Sequence, residues 1–150
     1  LLGTATLSPA EVNGFNVFMD ETKGDCFHCH GSDSNPLWTD NKFHNNGLDT
    51  TFTDRGLGRV TGDPADNGKF RSPSLRNLAF TAPYMHDGRF ATIQQCIRHY
   101  RYGVQSSSTV DPSVSNGITL TDTEEYNLIQ FLKCLTDSSF LNDKRLARPN

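Results

Sequence analysis

Residues 24–40, GDCFHCHGSDSNPLWTD, place two of the chain's four cysteines three positions apart, with His30 directly after the second. C-x-x-C-H is the spacing that attaches haem c. Cysteines on one helical turn both reach the vinyl groups of a porphyrin, each forming a thioether, and the imidazole of the next residue arrives beneath the iron. Cys26, Cys29 and His30 meet each of these needs. Two rival uses of paired cysteines want more than the sequence offers. A thioredoxin-like redox pair follows a strand in a βαβ unit, and no strand alternation precedes Cys26. A structural zinc site wants a second Cys or His pair at short spacing, whereas Cys96 and Cys134 are single and fall in helical patterns.

Composition agrees with a bound prosthetic group. A chain of 150 residues suits one domain. Only 35% of it is hydrophobic, its mean hydropathy is negative, and glycine and proline are frequent. A covalently attached porphyrin supplies the apolar interior that such side chains do not. The formal charge of −3 excludes a strongly basic nucleic-acid binder. No apolar run approaches the roughly 18 residues of a transmembrane segment. The first residues, LLGTATLSPA, have neither an initiating methionine nor a basic region ahead of an apolar stretch. The expectation is a leader already removed, or a segment of something longer, working outside the cytoplasm in the periplasm.

Three helices are predicted around the motif. Ser8, Pro9 and Glu11 form a capping box, followed by Val12, Phe15 and Met19 at helical spacing with Phe18 widening the stripe. Thr92 and Gln95 open a second helix that Gly103 ends, with Ile93, Cys96, Ile97 and Tyr100 on one face and His99 pointing elsewhere. Thr121 and Glu124 open a third, burying Leu128, Phe131, Leu132 and Leu135. Ser72 and Pro73 are expected to start a short helical turn. From about residue 31 to 71 periodicity disappears, leaving a loop long enough to need something to wrap. The fold class is thus mainly α, a cytochrome c-like haem domain over 1–136 with long loops around one covalent haem, and a tail over 137–150. Cys96 and Cys134 keep two readings: separate thiols packed as small apolar groups, or a disulfide joining the last two long helices.

A second axial ligand sets what such a haem does. Met19, Met85, His28, His44, His86, His99 and Tyr100 are the candidates. Met19 reads as core packing, His28 points away from its own iron, and His44 reads as a loop histidine. Met85 follows proline in the loop TAPYMHDG, and spacing alone favours it.

The segments CFHCHGSDSNPLWTDNKFHNNGLD, FRSPSLRNLAFTAPYMHDGRFATIQQCIRHY and FLKCLTD resemble the C-terminal haem domain of the bacterial di-haem cytochrome c peroxidase and MauG family. The resemblance runs over nearly the whole chain from LSPAEVNGFNVF onward, and the LRN…TAPY-x-H-D-G run is more specific than C-x-x-C-H. It implies a distal ligand on the helix after H-D-G, methionine in the peroxidases and tyrosine in the MauG branch, and Tyr100 matches that position against the spacing argument for Met85. It implies that His86 lies close to the haem, near a propionate or an axial ligand. Arg71, Arg76 and Arg89 are candidates to neutralise propionates. Thr81 and Pro83 match positions whose backbone carbonyls help hold a calcium ion between the two family domains, its other contacts coming from the other half.

The implied function is electron transfer between this haem and a second, peroxide-reactive haem in another domain. That haem needs its own C-x-x-C-H, and this chain has one. Peroxidase-type oxidation is therefore expected only in combination with a second haem domain. The alternative is a free-standing mono-haem cytochrome that carries electrons to or from a partner cytochrome without catalysis. A vacant distal site that binds a small ligand directly is the third reading.

Overall fold

The computed structural model describes residues 6–32 and 34–147. Helix α1 (Pro9–Met19) starts at its capping box: the Ser8 hydroxyl accepts from the Glu11 amide at 3.3 Å while the Glu11 carboxylate accepts from the Ser8 amide at 2.6 Å. Its buried stripe is Gly14, Val17 and Phe18; Val12 is 43% exposed, and Phe15 and Met19 pack at the edge of the core. Gly14 explains the rotation from the expected stripe. Helix α5 (Asp122–Cys134) crosses there so closely that a Cβ on Gly14 would lie 2.0 Å from the Asn127 carbonyl oxygen.

The same reciprocal cap, Thr121 with Glu124, opens α5, whose Leu128, Phe131 and Leu132 are buried and whose end places Leu135 at the core's margin. Phe18, Phe131 and Trp38 meet edge to face with ring centroids 5.3–5.4 Å apart. Phe18, Phe131 and Leu128 are the largest fully buried side chains, each contributing about 2 kcal/mol from burial.

The α1–α5 pair carries the motif. After α1 the chain doubles back, with Gly24 N–H donating to Val17 O and Cys26 N–H to Phe18 O, both at 3.1 Å. This delivers α2 (Phe27–His30), a single turn holding Cys29 and His30. The stretch from 31 to 71 is less irregular than expected. Phe43–His44 (β1) pairs antiparallel with Phe70–Arg71 (β2), Phe43 opposite Arg71 and His44 opposite Phe70, and α3 (Leu57–Thr61) lies between them. Two-residue strands are too short for side-chain alternation to reveal.

Ser72 and Pro73 do not start a helical turn. Ser72 N–H donates to Lys42 O at 2.8 Å and its hydroxyl to Cys29 O at 2.7 Å, so the group expected to cap is spent on the motif, and the turn slides to a 3₁₀ segment at Leu78–Phe80. Helix α4 (Ile93–Arg98) has the expected Thr92/Gln95 cap, then widens into a π-helical turn over His99–Gly103. That widening turns His99 inward, contrary to expectation: it is 7% exposed and its Nε2 bonds Asn46 O at 2.9 Å. The stretch expected as a tail contains α6 (Ser138–Leu141), capped by Asp137, which also pairs with Arg76 at 2.6 Å; residues 148–150 lie outside the described residues. Among the described residues no helix is long and apolar enough to cross a membrane. The architecture is mainly α, as the sequence predicts.

Candidate haem site

Cys26 stands at the start of α2 and His30 at its end, with His30 N–H donating to Cys26 O at 3.0 Å. The carbonyl of Cys29 receives two outside donors, the Asp40 amide at 3.0 Å and the Ser72 hydroxyl at 2.7 Å. Ser72 is in turn fixed through its own carbonyl, which accepts from the Thr39 hydroxyl at 2.7 Å. His30 Nδ1 lies 3.2 Å from Pro73 O and 3.4 Å from the Ser72 hydroxyl. An Nδ1–H spent on a carbonyl puts the ring's lone pair on Nε2, the tautomer a metal needs. Burial lowers the His30 pKa against the opposing pull of the Pro73 carbonyl, which keeps the ring neutral.

Burial also pushes Cys26 to about 12, helped by the nearby Asp25 charge, and Cys29 to about 12, helped by Asp111 and Asp40. Two neutral thiols on one turn beside a neutral, oriented imidazole are the donor set that haem c attachment requires, so the residues present fit the group. Cys29, His44 and Asp111 also bring ligand atoms within 4.8 Å of one another. Once Cys29 is a thioether, what remains is an ion pair: His44 bonds Asp111 through Nδ1 at 2.7 Å and Asp40 through Nε2 at 2.8 Å.

Both candidate sixth ligands converge on one amide. Asn46 Nδ2 is 3.4 Å from the Tyr100 hydroxyl and 3.4 Å from Met85 Sδ. Burial pushes the Tyr100 phenol up to about 12 against the opposing pull of the Asn46 amide. Tyr100 comes from the π-helical turn, Met85 from a loop where its φ of 72° is left-handed, and Asn46 from the strand end after His44. No periodicity links these three positions. The signal available in sequence for Asn46 is FHNNG itself, two amides between an aromatic and a glycine with φ of 70° at Gly47.

The other residues fall as follows. His86 is exposed and stacks on Phe70 with centroids 3.7 Å apart. His28 pairs with Asp25 and stacks on Phe27. Arg71 bonds Asn41, Arg76 bonds Asp137 and Pro36 O, and Arg89 bridges Asp49 and Asp87. All three arginines therefore have protein partners here. Cys96 and Cys134 are separate thiols, each raised to about 11 by burial, and no disulfide joins the helices that carry them.

Comparison with known proteins places this geometry. The chain is 32% identical over 131 residues to the methylamine utilization protein MauG of Methylophilus methylotrophus, covering 86% of this chain and 37% of that one. Cytochrome-c peroxidase IdrP2 of Denitromonas iodatirespirans is 29% identical over 160 residues, 88% of this chain and 41% of that protein. The crystal structure of a MauG-like protein associated with microbial copper homeostasis matches with a TM-score of 0.88 at 37% identity, over 98% of this chain and 49% of that one. The diheme peroxidase BthA from Burkholderia thailandensis, at 23% identity and a TM-score of 0.71, shares the fold. No protein-family model matches the chain. The chain spans less than half the length of each of these relatives. With C-x-x-C-H, an oriented imidazole and this fold together, the chain belongs to the di-haem cytochrome c peroxidase and MauG family, of which it is the C-terminal haem domain.

Proposed function

We propose that this domain holds one haem c through Cys26 and Cys29, with His30 and Tyr100 as axial ligands, and serves as the electron-handling half of a periplasmic di-haem peroxidase or MauG-like oxidoreductase. The observation that carries the reading is the motif turn itself, Cys26, Cys29 and His30 together with His30 Nδ1 held 3.2 Å from Pro73 O, while Tyr100 packs partly buried against the core with its hydroxyl 3.4 Å from the Asn46 amide. When bound, the haem supplies an iron that exchanges single electrons. The chain's own residues fix the rest. Pro73 and Ser72 hold the proximal imidazole, and the aromatic cluster of Phe18, Trp38 and Phe131 keeps water from that side. An anionic oxygen ligand favours ferric iron where methionine favours ferrous, so a Tyr100-ligated site rests oxidised and is a poor relay for a high-potential donor.

Peroxide turnover, in this reading, belongs to the whole protein with a second haem, and residues 1–136 form the haem-bearing unit with 137–150 as a tail. His86 would serve the edge of the haem, and Arg71, Arg76 and Arg89 would neutralise its propionates by exchanging the protein partners they hold here. The exposed Thr81 and Pro83 are the positions for a calcium ion shared with the other half.

The test is the haem-loaded domain with Tyr100→Phe. A changed ferric EPR spectrum and a raised reduction potential are expected; an unchanged spectrum would leave Met85 or water as the ligand. The same domain challenged with hydrogen peroxide and a reduced small cytochrome should show no turnover by itself, and turnover by the isolated domain would contradict the division of labour.

A further inference from the structure

The Asn46 carboxamide reaches two rival ligands at equal distance. We propose that Asn46 is a positioning residue that selects Tyr100 over Met85 as the sixth ligand, an inference that rests on the Tyr100 reading above. Its NH₂ group has two hydrogens, and its nitrogen is 3.4 Å from both the phenol oxygen and the thioether sulfur. A phenol oxygen is a good acceptor that keeps a second lone pair for a metal. A thioether is a weak acceptor, and a sulfur engaged by the amide would be less free to ligate a metal.

The backbone under this amide is held from several sides. Asn46 O accepts from His99 Nε2 at 2.9 Å, which ties it to the π-helical turn that carries Tyr100. Its neighbour Asn45, 2% exposed, donates to Ser107 and Thr109 at 3.1 and 2.9 Å, and Gly47 O accepts from the Gln105 amide at 2.7 Å. An amide whose backbone cannot drift imposes its geometry on its partners rather than following them. Met85 occupies a left-handed conformation, φ 72°, that a long unbranched side chain seldom adopts, and its sulfur lies at the amide.

The test uses haem-loaded protein and reads the ferric EPR and visible spectra and the reduction potential. Asn46→Leu removes both donors at similar size. The expected result is a thioether-to-iron charge-transfer band that the parent lacks and a potential shifted toward methionine-ligated values; Asn46→Gln, which keeps the N–H donors, restores the parent spectrum. Adding Met85→Leu to Asn46→Leu should abolish the new band. Should Asn46→Leu fail to take up haem, Asn46→Asp is read in the same way, because it keeps the side chain's shape without an N–H. Parent-like spectra and potential in the donor-less variant, while Tyr100→Phe changes both, would overturn the role of Asn46 alone. If Tyr100→Phe changes neither, the ligand assignment falls and takes this proposal with it.

Discussion

On the His30 side of the site the restraints are backbone groups. Carbonyls of Cys26, Cys29 and Pro73 and amides of His30 and Asp40 do most of the holding, with the Ser72 hydroxyl as the main side-chain contribution. On the Tyr100 side the restraints are side chains from distant segments: Asn46, Met85 and Tyr100 itself, steadied by a buried Arg101–Glu125 pair one residue further on. Backbone restraint tolerates substitution and fixes one ligand. Side-chain restraint is sensitive to substitution, and it leaves two chemically different ligands in competition at the same place.

Three perturbations sharpen that contrast. The largest effect is expected on the distal side, at Glu125. Its carboxylate is 4% exposed, accepts from Gln94 at 3.0 Å and pairs with Arg101, whose side chain is 8% exposed and whose other nitrogen donates to Leu120 O at 2.7 Å. Glu125→Ala leaves the guanidinium with only the solvent-exposed Asp122 carboxylate, at 3.2 Å, as an ionic partner and should cost about 3 kcal/mol in denaturant unfolding. The ferric signature of Tyr100 should broaden, because Arg101 sits in the same π-helical turn. A smaller effect is expected on the proximal side. Ser72→Ala removes one donor to Cys29 O and should cost about 1 kcal/mol, with the Tyr100 signature unchanged, since the Asp40 amide and Pro73 carbonyl still hold the motif. A Ser72→Ala variant that altered the distal signature as strongly as Glu125→Ala would remove the distinction between the two sides.

The smallest effect is pH-dependent. Burial alone would lower the His44 pKa, but the Asp111 and Asp40 carboxylates outweigh it and the net shift is upward. A raised folded-state value stabilises the protein fully below the unfolded value near 6.5 and loses that contribution as pH rises through the folded value. His44→Gln should therefore lower Tm below pH 6.5, by an amount corresponding to about 1 kcal/mol or less, with the gap closing at alkaline pH. A gap that widened with pH would reverse the assigned charge state.

The sequence announces the proximal side because its chemistry needs adjacent residues. C-x-x-C-H puts three functional groups on one turn, and the capping boxes at Ser8, Thr92 and Thr121 are local hydrogen-bond patterns that read directly as helix starts. What stays hidden is non-local. Gly14 sets the buried face of α1 through a helix more than a hundred residues later, which displaces the expected Val12, Phe15 and Met19 stripe. Ser72 looks like a cap and is consumed by Cys29 O, 43 positions back. His99 is turned inward by a π-helical widening that no hydropathy pattern records. Asn46 owes its place between Met85 and Tyr100 to loop closure at 39 and 54 residues' separation.

The claim beneath all of this is that Cys26 and Cys29 hold a porphyrin by thioether bonds. Intact mass of the denatured chain, produced in a host able to attach haem c, tests it most directly. The account predicts one species heavier than the polypeptide by one haem, coloured and unaffected by acid–acetone extraction. A chain with the mass of the polypeptide alone would contradict it.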